Sequence, residues 1–341
     1  YSDKDLSWYT HDVFYETGRI DYSASIRGNE VIFKNNGTLT VPFESAFYDK
    51  KGKEISRHWY ENIKQMHKVT LPKGAEYVKI DPDQTLPDVN RANNSTYKPF
   101  TLTWGFDQPQ YDKWEIFWMP WIFSGNQYNG WTPGLNIFYG FVPGYDYGIG
   151  LRPMWDFKND KLIGSISASN TMYDFSSFYT SILRFDANQN AGRKGVHIEF
   201  EGKRKKHLER YPVWTTTFNI DYHDITNNAV DSTYYRTGEI AVAYTELELH
   251  NRPNPFLSYY LRTGMKTGIQ NSQFLRFHMQ TNFYYKFTKK YKAKLRIWAG
   301  GFLDITNLPN QYLTYLSSNI DPDFRNSYFF NRTPDINDVS I

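Results

Sequence analysis

The chain has no cysteine among its 341 residues, which excludes disulfide bridges and thiolate chemistry and says little about the compartment. It has no run approaching the roughly 18 consecutive apolar residues of a membrane-spanning helix. Mean hydropathy is −0.66, so a helical membrane protein is excluded and a membrane β-barrel is left open. Net charge is scarce as well: 39 Lys+Arg against 36 Asp+Glu give +3, too near balance to point to nucleic acid. The one dense basic run, from Lys203 to Arg210, contains Glu209 and reads as a solvated loop. No serine sits in a GxSxG elbow, so no nucleophile can be assigned with its base.

Aromatic rings are what the chain has in excess. Phe, Trp and Tyr make up 18% of it, with 28 Tyr, 25 Phe and 10 Trp, more than an ordinary soluble interior needs. A hydrophobic fraction of 40% with 22% charged residues is that of a folded protein. Residues 20–95 are less aromatic and alternate in short segments broken at Arg27-Gly-Asn, Asn35-Asn-Gly and Lys51-Gly, the pattern of a small β-sandwich. Residues 96–113, with Pro99 and Pro109 near the ends, read as a connector.

From residue 114 the pattern changes to longer strands separated by turns rich in Gly, Asn, Asp and Pro. Strands are expected near 115–123, 131–141, 147–157, 161–170, 176–186, 194–203, 212–223, 235–249, 255–266, 272–287 and 291–303. In "FLRFHMQTNFYYKF", residues 274–287, Phe277, Met279 and Phe283 fall on one side while Arg276, His278 and Lys286 fall on the other. Phe218, Ile220, Ile198 and Leu295 oppose Asp221, Glu199 and Arg296 in the same way. A soluble barrel shows the same period with its apolar face inward, so alternation alone does not choose the solvent.

Length and rings decide. Soluble strands have a mode of about five or six residues, whereas spanning strands need about nine to eleven. Tyr147, Trp155, Trp214, Tyr222, Tyr234, Tyr244, Tyr285 and Tyr291 lie near strand ends, as an interfacial girdle requires. Arg or Lys facing lipid costs about 2–4 kcal/mol near the midplane, so Arg276 and Lys286 belong inside.

The expected fold is thus all-β: a small sandwich, then an antiparallel transmembrane β-barrel of about 12 strands over 114–303. One strand disobeys: Ile240, Val242 and Tyr244 share a face with Glu246 and Glu248, and a bulge or an extension beyond the membrane is expected there. The turn at 288–290 is the tightest, so it is expected to be periplasmic and 304–341 to form a long extracellular loop. An even-numbered barrel then needs a closing strand beyond Ile341. The chain opens without Met and stops in mid-loop, so a piece of a longer polypeptide is expected, with 1–19 the tail of an upstream domain.

Two stretches carry a resemblance. Residues 5–21, "DLSWYTHDVFYETGRID", and 78–95, "VKIDPDQTLPDVNRANNS", resemble segments of the zinc aminopeptidase family that includes aminopeptidase N. The first is similar to the segment leaving the catalytic domain, the second to the end of the sandwich that follows it in members of Bacteroidota type. Some of those members carry a C-terminal membrane barrel. The resemblance implies a sandwich in the periplasm and a barrel in the outer membrane, with outer-membrane lipid and other envelope proteins as partners. The family's zinc site needs HExxH and a further Glu. None of His11, His58, His67, His197, His207, His223, His250 and His278 has that spacing. No catalytic, cofactor-binding or metal residue is therefore carried onto this chain, and any zinc belongs to a missing upstream domain.

Other constellations have plainer readings. Asp81, Asp83 and Asp88 are interrupted by Pro82 and Pro87 and lack the bidentate Glu of a calcium loop, so a turn at the sandwich edge is expected. His223-Asp224 and His278 are metal or proton candidates within a pore, or solvated lumen residues. The loop 128–134, "YNGWTPG", offers rings for sugar stacking or for the interfacial girdle. Three functions remain open: an anchor for an aminopeptidase-like module or envelope subunit, a channel for a small solute, and a soluble glycan-binding protein.

Overall fold

The computed structural model describes residues 10, 18–111, 113–122, 125–126, 128–140, 145–190, 192–205, 210–226, 235–288 and 290–312. Almost all of their regular structure is strand, as the alternating pattern requires. Two units divide the chain: Tyr1–Trp118 with Phe138–Gly148, and Met119–Ile137 with Ile149–Ile341.

In the first unit, β1 (Tyr22–Arg27), β2 (Glu30–Asn35) and β5 (Met66–Thr70) form one antiparallel sheet. A second antiparallel sheet has β3 (Phe43–Tyr48) between β4 (Glu54–Tyr60) and β6 (Tyr77–Ile80). Gly28, at φ 61°, supplies the left-handed backbone that the tight β1–β2 turn needs. Inward residues of the two sheets meet in one core: Tyr22, Val31 and Phe33 from the first, Phe43, Phe47 and Val78 from the second. The Tyr22 and Phe43 rings lie 4.5 Å apart across it. After the sandwich a short 3-10 turn, Arg91–Asn93, sets Ala92 against Tyr139 and Tyr145, and Asn90 donates to Asp146 at 2.7 Å.

A sheet of twelve strands follows. Its strands are β7 (Phe100–Trp104), β8 (Trp114–Trp121), β11 (Gly134–Tyr139), β12 (Tyr147–Asp156), β13 (Lys161–Tyr173), β14 (Thr180–Asn190) and β15 (Arg193–Lys205). It continues through β16 (Val213–Ile225), β17 (Gly238–Asn251), β18 (Leu257–Gln270), β19 (Gln273–Lys286) and β20 (Lys292–Asn307). Spatial order equals chain order, with only the small hairpin of β9 (Gly125–Asn126) and β10 (Gly130–Trp131) standing apart. From β13 to β20 every pairing is antiparallel.

Four expectations need correction. The connector 96–113 contains β7, which pairs parallel to β8; its "FTLTW" alternates, but the flanking prolines hid the strand. The predicted strand 131–141 breaks at Pro133, which cannot donate to a ladder, and splits into β10 and β11. The turn at 288–290 is not the tightest: β14–β15 and β18–β19 are joined by two residues each, at the other end of the strands. Gly192 and Asn271, both left-handed, make those turns, so turn length gives no ground for calling 288–290 periplasmic. The expected loop 304–341 begins as strand, because β20 runs on to Asn307; residues 313–341, and any strand after them, lie outside the described residues. The sheet reaches twelve strands by including β7 at its start. Among the described residues, β20 pairs with β19 alone and β7 with β8 alone.

Candidate functional site

Residues of one parity from β14 to β19 point to the exposed face of the sheet and most of the other parity are covered, whereas the end of β19 and most of β20 are exposed on both faces. On the exposed face are Ile198, Phe218, Ile220, Phe277, Met279, Phe283 and Leu295, with Phe218 and Ile220 each 50% accessible. On the covered face Asp221 is 7% accessible, Glu246 6% and Lys266 6%. Glu199 and His278 are similarly covered and Arg276 is half-buried. The expected orientation holds for these residues. Arg296 and Lys286 depart from it, both being exposed, Arg296 on β20, which has a neighbour on one side only, and Lys286 at the end of β19.

The covered charges are joined in two networks. In the first, β14, β15 and β16 align His197 opposite Asp221 and Arg184 opposite Glu199. His197 Nδ1 lies 2.6 Å from Asp221 Oδ1 and its Nε2 3.7 Å from Glu199. Arg184 binds Glu199 and reaches Glu201 at 3.5 Å, and Glu201 takes Lys203 at 2.9 Å. In the second, Glu246 on β17 accepts from Tyr244 and Arg262, and His278 Nε2 stands 3.2 Å from the same carboxylate. Tyr260 donates to Glu248. Gly264 makes this second convergence possible. A Cβ there would meet His278 Cε1 and the Thr245 carbonyl at 2.8 Å and Tyr244 at 3.3 Å.

β17, the strand that seemed to lose its phase, keeps it. Ile240 and Val242 face the covered side with Glu246 and Glu248, and they are buried against Phe274 and Tyr312. The register shift between Ala241 and Val242 in pairing with β18 does not turn them outward. Tyr312 follows β20, beyond the strands the sequence pattern marks, and is 1% accessible.

The remaining candidates separate. His223 is buried on the covered face and Asp224 sits on the opposite one, since neighbours on a strand alternate. Asp81 accepts from the Thr85 and Leu86 amides of its own loop at 2.9 and 2.8 Å. Asp83 pairs with Arg57 at 2.7 Å, and Asp88 accepts from the Tyr22 and Asn90 amides at 3.1 and 2.8 Å. The three carboxylates serve three different neighbours and do not converge. Among the described residues no group of three His, Asp or Glu is placed to hold a metal.

Lys203 to Lys205 belong to β15, not to a loop; the Arg204 guanidinium lies 4.3 Å over Phe178 and Lys205 5.0 Å over Tyr179. Trp131 stacks on Phe157 at 5.4 Å, and both rings are exposed, next to Trp155 at the end of the apolar face. Tyr147, Trp155, Trp214, Tyr285 and Tyr291 are exposed near strand ends. Tyr244, expected among them, points inward to Glu246; Tyr234 lies outside the described residues. No family model, curated protein or solved structure matches the chain.

Chemically, the covered face offers carboxylates already engaged by cations, phenols and imidazoles. That arrangement cross-links neighbouring strands on the covered face of the sheet. Sequence periodicity located these residues on one face, whereas their partners required the strand register. One signal was available beforehand: a glycine inside a long strand, as at Gly264, marks close approach of neighbouring groups.

Proposed function

We propose that the twelve-strand sheet forms the wall of an outer-membrane β-barrel, and that the barrel anchors the sandwich and an aminopeptidase-like module at the periplasmic side of that membrane. The observation that carries the reading is the inversion of the sheet. Apolar side chains such as Phe218, Ile220 and Phe277 are exposed, while Asp221, Glu246 and Lys266 are covered. A soluble sheet gains stability by the opposite arrangement, and a contiguous apolar face in water is an aggregation hazard. Acyl chains remove that hazard, and the strands of β13 to β20, 11 to 16 residues long, suffice to cross the hydrocarbon. Exposed rings at Tyr147, Trp155, Trp214 and Tyr285 suit the two interfaces.

The peptidase-like part of the reading rests on the resemblance of residues 5–21 and 78–95 alone. The soluble glycan-binding alternative is disfavoured because Trp131 and Phe157 continue the apolar face past Trp155. The test is expression in a Gram-negative host followed by fractionation. The chain is expected in the outer membrane, with migration in SDS gels that changes on boiling and a sandwich protected from protease in intact cells. A chain that stays soluble without detergent sinks the reading, and envelope capture without any zinc peptidase sinks its peptidase part.

A further inference from the structure

The covered face is closed at one end by the chain itself. β20 ends at Asn307, whose side chain accepts from Arg236 at 2.6 Å and donates to the Asn271 carbonyl at 3.2 Å, so the next residues must turn across the strand ends. Leu308 and Tyr312 then pack against Ile240, Val242, Phe274 and Phe302. Four contacts fix the tyrosine. Its ring stacks on Phe274 at 5.2 Å, and its hydroxyl lies 3.4 Å from His223 Nε2. The Lys266 ammonium stands 5.4 Å over the ring, and Arg276 donates to its carbonyl at 3.4 Å. On the covered face of β17, Ile240 and Val242 precede Tyr244, Glu246 and Glu248, and they sit where this segment lands.

We infer that Leu308–Tyr312 is a plug that closes a latent passage through the polar interior, and that the passage admits small anions in preference to cations. This rests on the barrel reading above. A barrel of about twelve strands lies between the side-chain-filled interior of eight strands and the open channel of a porin, so a segment laid across one mouth adds to the charged lining in narrowing it. The anion preference follows from the groups around Tyr312: Lys266 and Arg276 converge on it, while Asp221, opposite Val242, is bound to His197. Cations lining a constriction favour anions.

The experiment is conductance of the full chain in planar bilayers under a KCl gradient, for the wild type, Tyr312→Ala and Tyr312→Phe. Heat-dependent migration and strand-type circular dichroism check that each is folded and inserted. Tyr312→Ala is expected to raise single-channel conductance several-fold, with a reversal potential of chloride sign. Tyr312→Phe keeps the stack on Phe274 and the cation over the ring, and it stays near the wild-type level. Three inserted proteins of equal conductance overturn the plug and leave the barrel standing. A Tyr312→Ala channel with potassium selectivity overturns the anion preference. Failure of all three to insert overturns the barrel reading and the plug with it.

Discussion

Asp88 is held well above the usual carboxylate range, at about 6, chiefly because burial penalises its charged form and outweighs the Tyr22 and Asn90 amides that favour it. Asp146, half-buried and bound to Asn90, is raised to about 6 by the same cause. A carboxyl whose folded pKa is raised binds its proton more tightly in the folded chain, so it stabilises the sandwich when protonated. That contribution is complete below the unfolded value near 3.9 and is lost as pH rises to about 6, a span worth on the order of 2–3 kcal/mol for Asp88. Protection of the Tyr22 and Val31 amides against exchange, corrected for intrinsic rates, is expected to fall between pH 4 and pH 6. Asp88→Asn is expected to flatten that dependence; an unchanged slope assigns it to another group. In the large sheet the sensitive residues are Glu246 and Gly264. Glu246→Ala removes the shared acceptor of Tyr244 and Arg262, while Arg262 keeps Glu248 at 3.6 Å, and it is expected to cost about 1–3 kcal/mol, as loss of a buried acceptor does. Gly264→Ala drives a methyl against the Thr245 carbonyl and is expected to cost about 1–3 kcal/mol. Urea unfolding in detergent micelles measures both.

At the scale of the element, β16 separates lipid from water outside the sheet. Phe218 is exposed and Asn219 beside it is buried. In water, an arginine at an exposed strand position changes stability by roughly 0.5 kcal/mol or less, whereas facing lipid near the midplane it costs about 2–4 kcal/mol. Phe218→Arg is therefore expected to lower folding free energy in liposomes by the larger amount, and a near-neutral result sinks the lipid-facing assignment. Most strands from β12 to β20 were legible from period two, since each long run keeps one side chain type per face. What escaped was the part periodicity does not encode. β7 is masked in the sequence by Pro99 and Pro109, and β10 and β11 merge in the pattern because apolar residues continue on both sides of Pro133. The apparent change of phase in β17 came from Ile240 and Val242, whose burial depends on Tyr312, some seventy residues away in sequence. The ion-pair networks needed the register: Glu199 and Arg184 face each other only because Asn190 pairs with Arg193 at the β14–β15 turn.

For the whole molecule the edges of the large sheet set the strongest constraint. One edge is β7, five residues long and parallel to β8; the other is β20, sixteen residues long. Pairing β20 with β7 alone leaves most of the longer strand without partners. Each unsatisfied backbone group costs several kcal/mol in hydrocarbon, and β20 carries Leu295, Ile297, Leu303 and Ile305 on its exposed face, which commits it to that environment under the barrel reading. Its other face carries Lys292, opposite Lys286 of β19, then Lys294 and Arg296, so a strand completing the wall gains most if it presents carboxylates there. Full occupation of the β20 edge is therefore expected in a bilayer. Tyr291 accepts from the Phe287 amide, so the odd residues of β20 bond to β19 and the amides of Lys294 and Arg296 face the edge. These two amides should exchange as slowly as those of Phe218 and Ile220 in the middle of β16. If the β20 amides exchange within seconds while β16 stays protected for hours, the sheet remains open along that edge and the closed barrel is excluded.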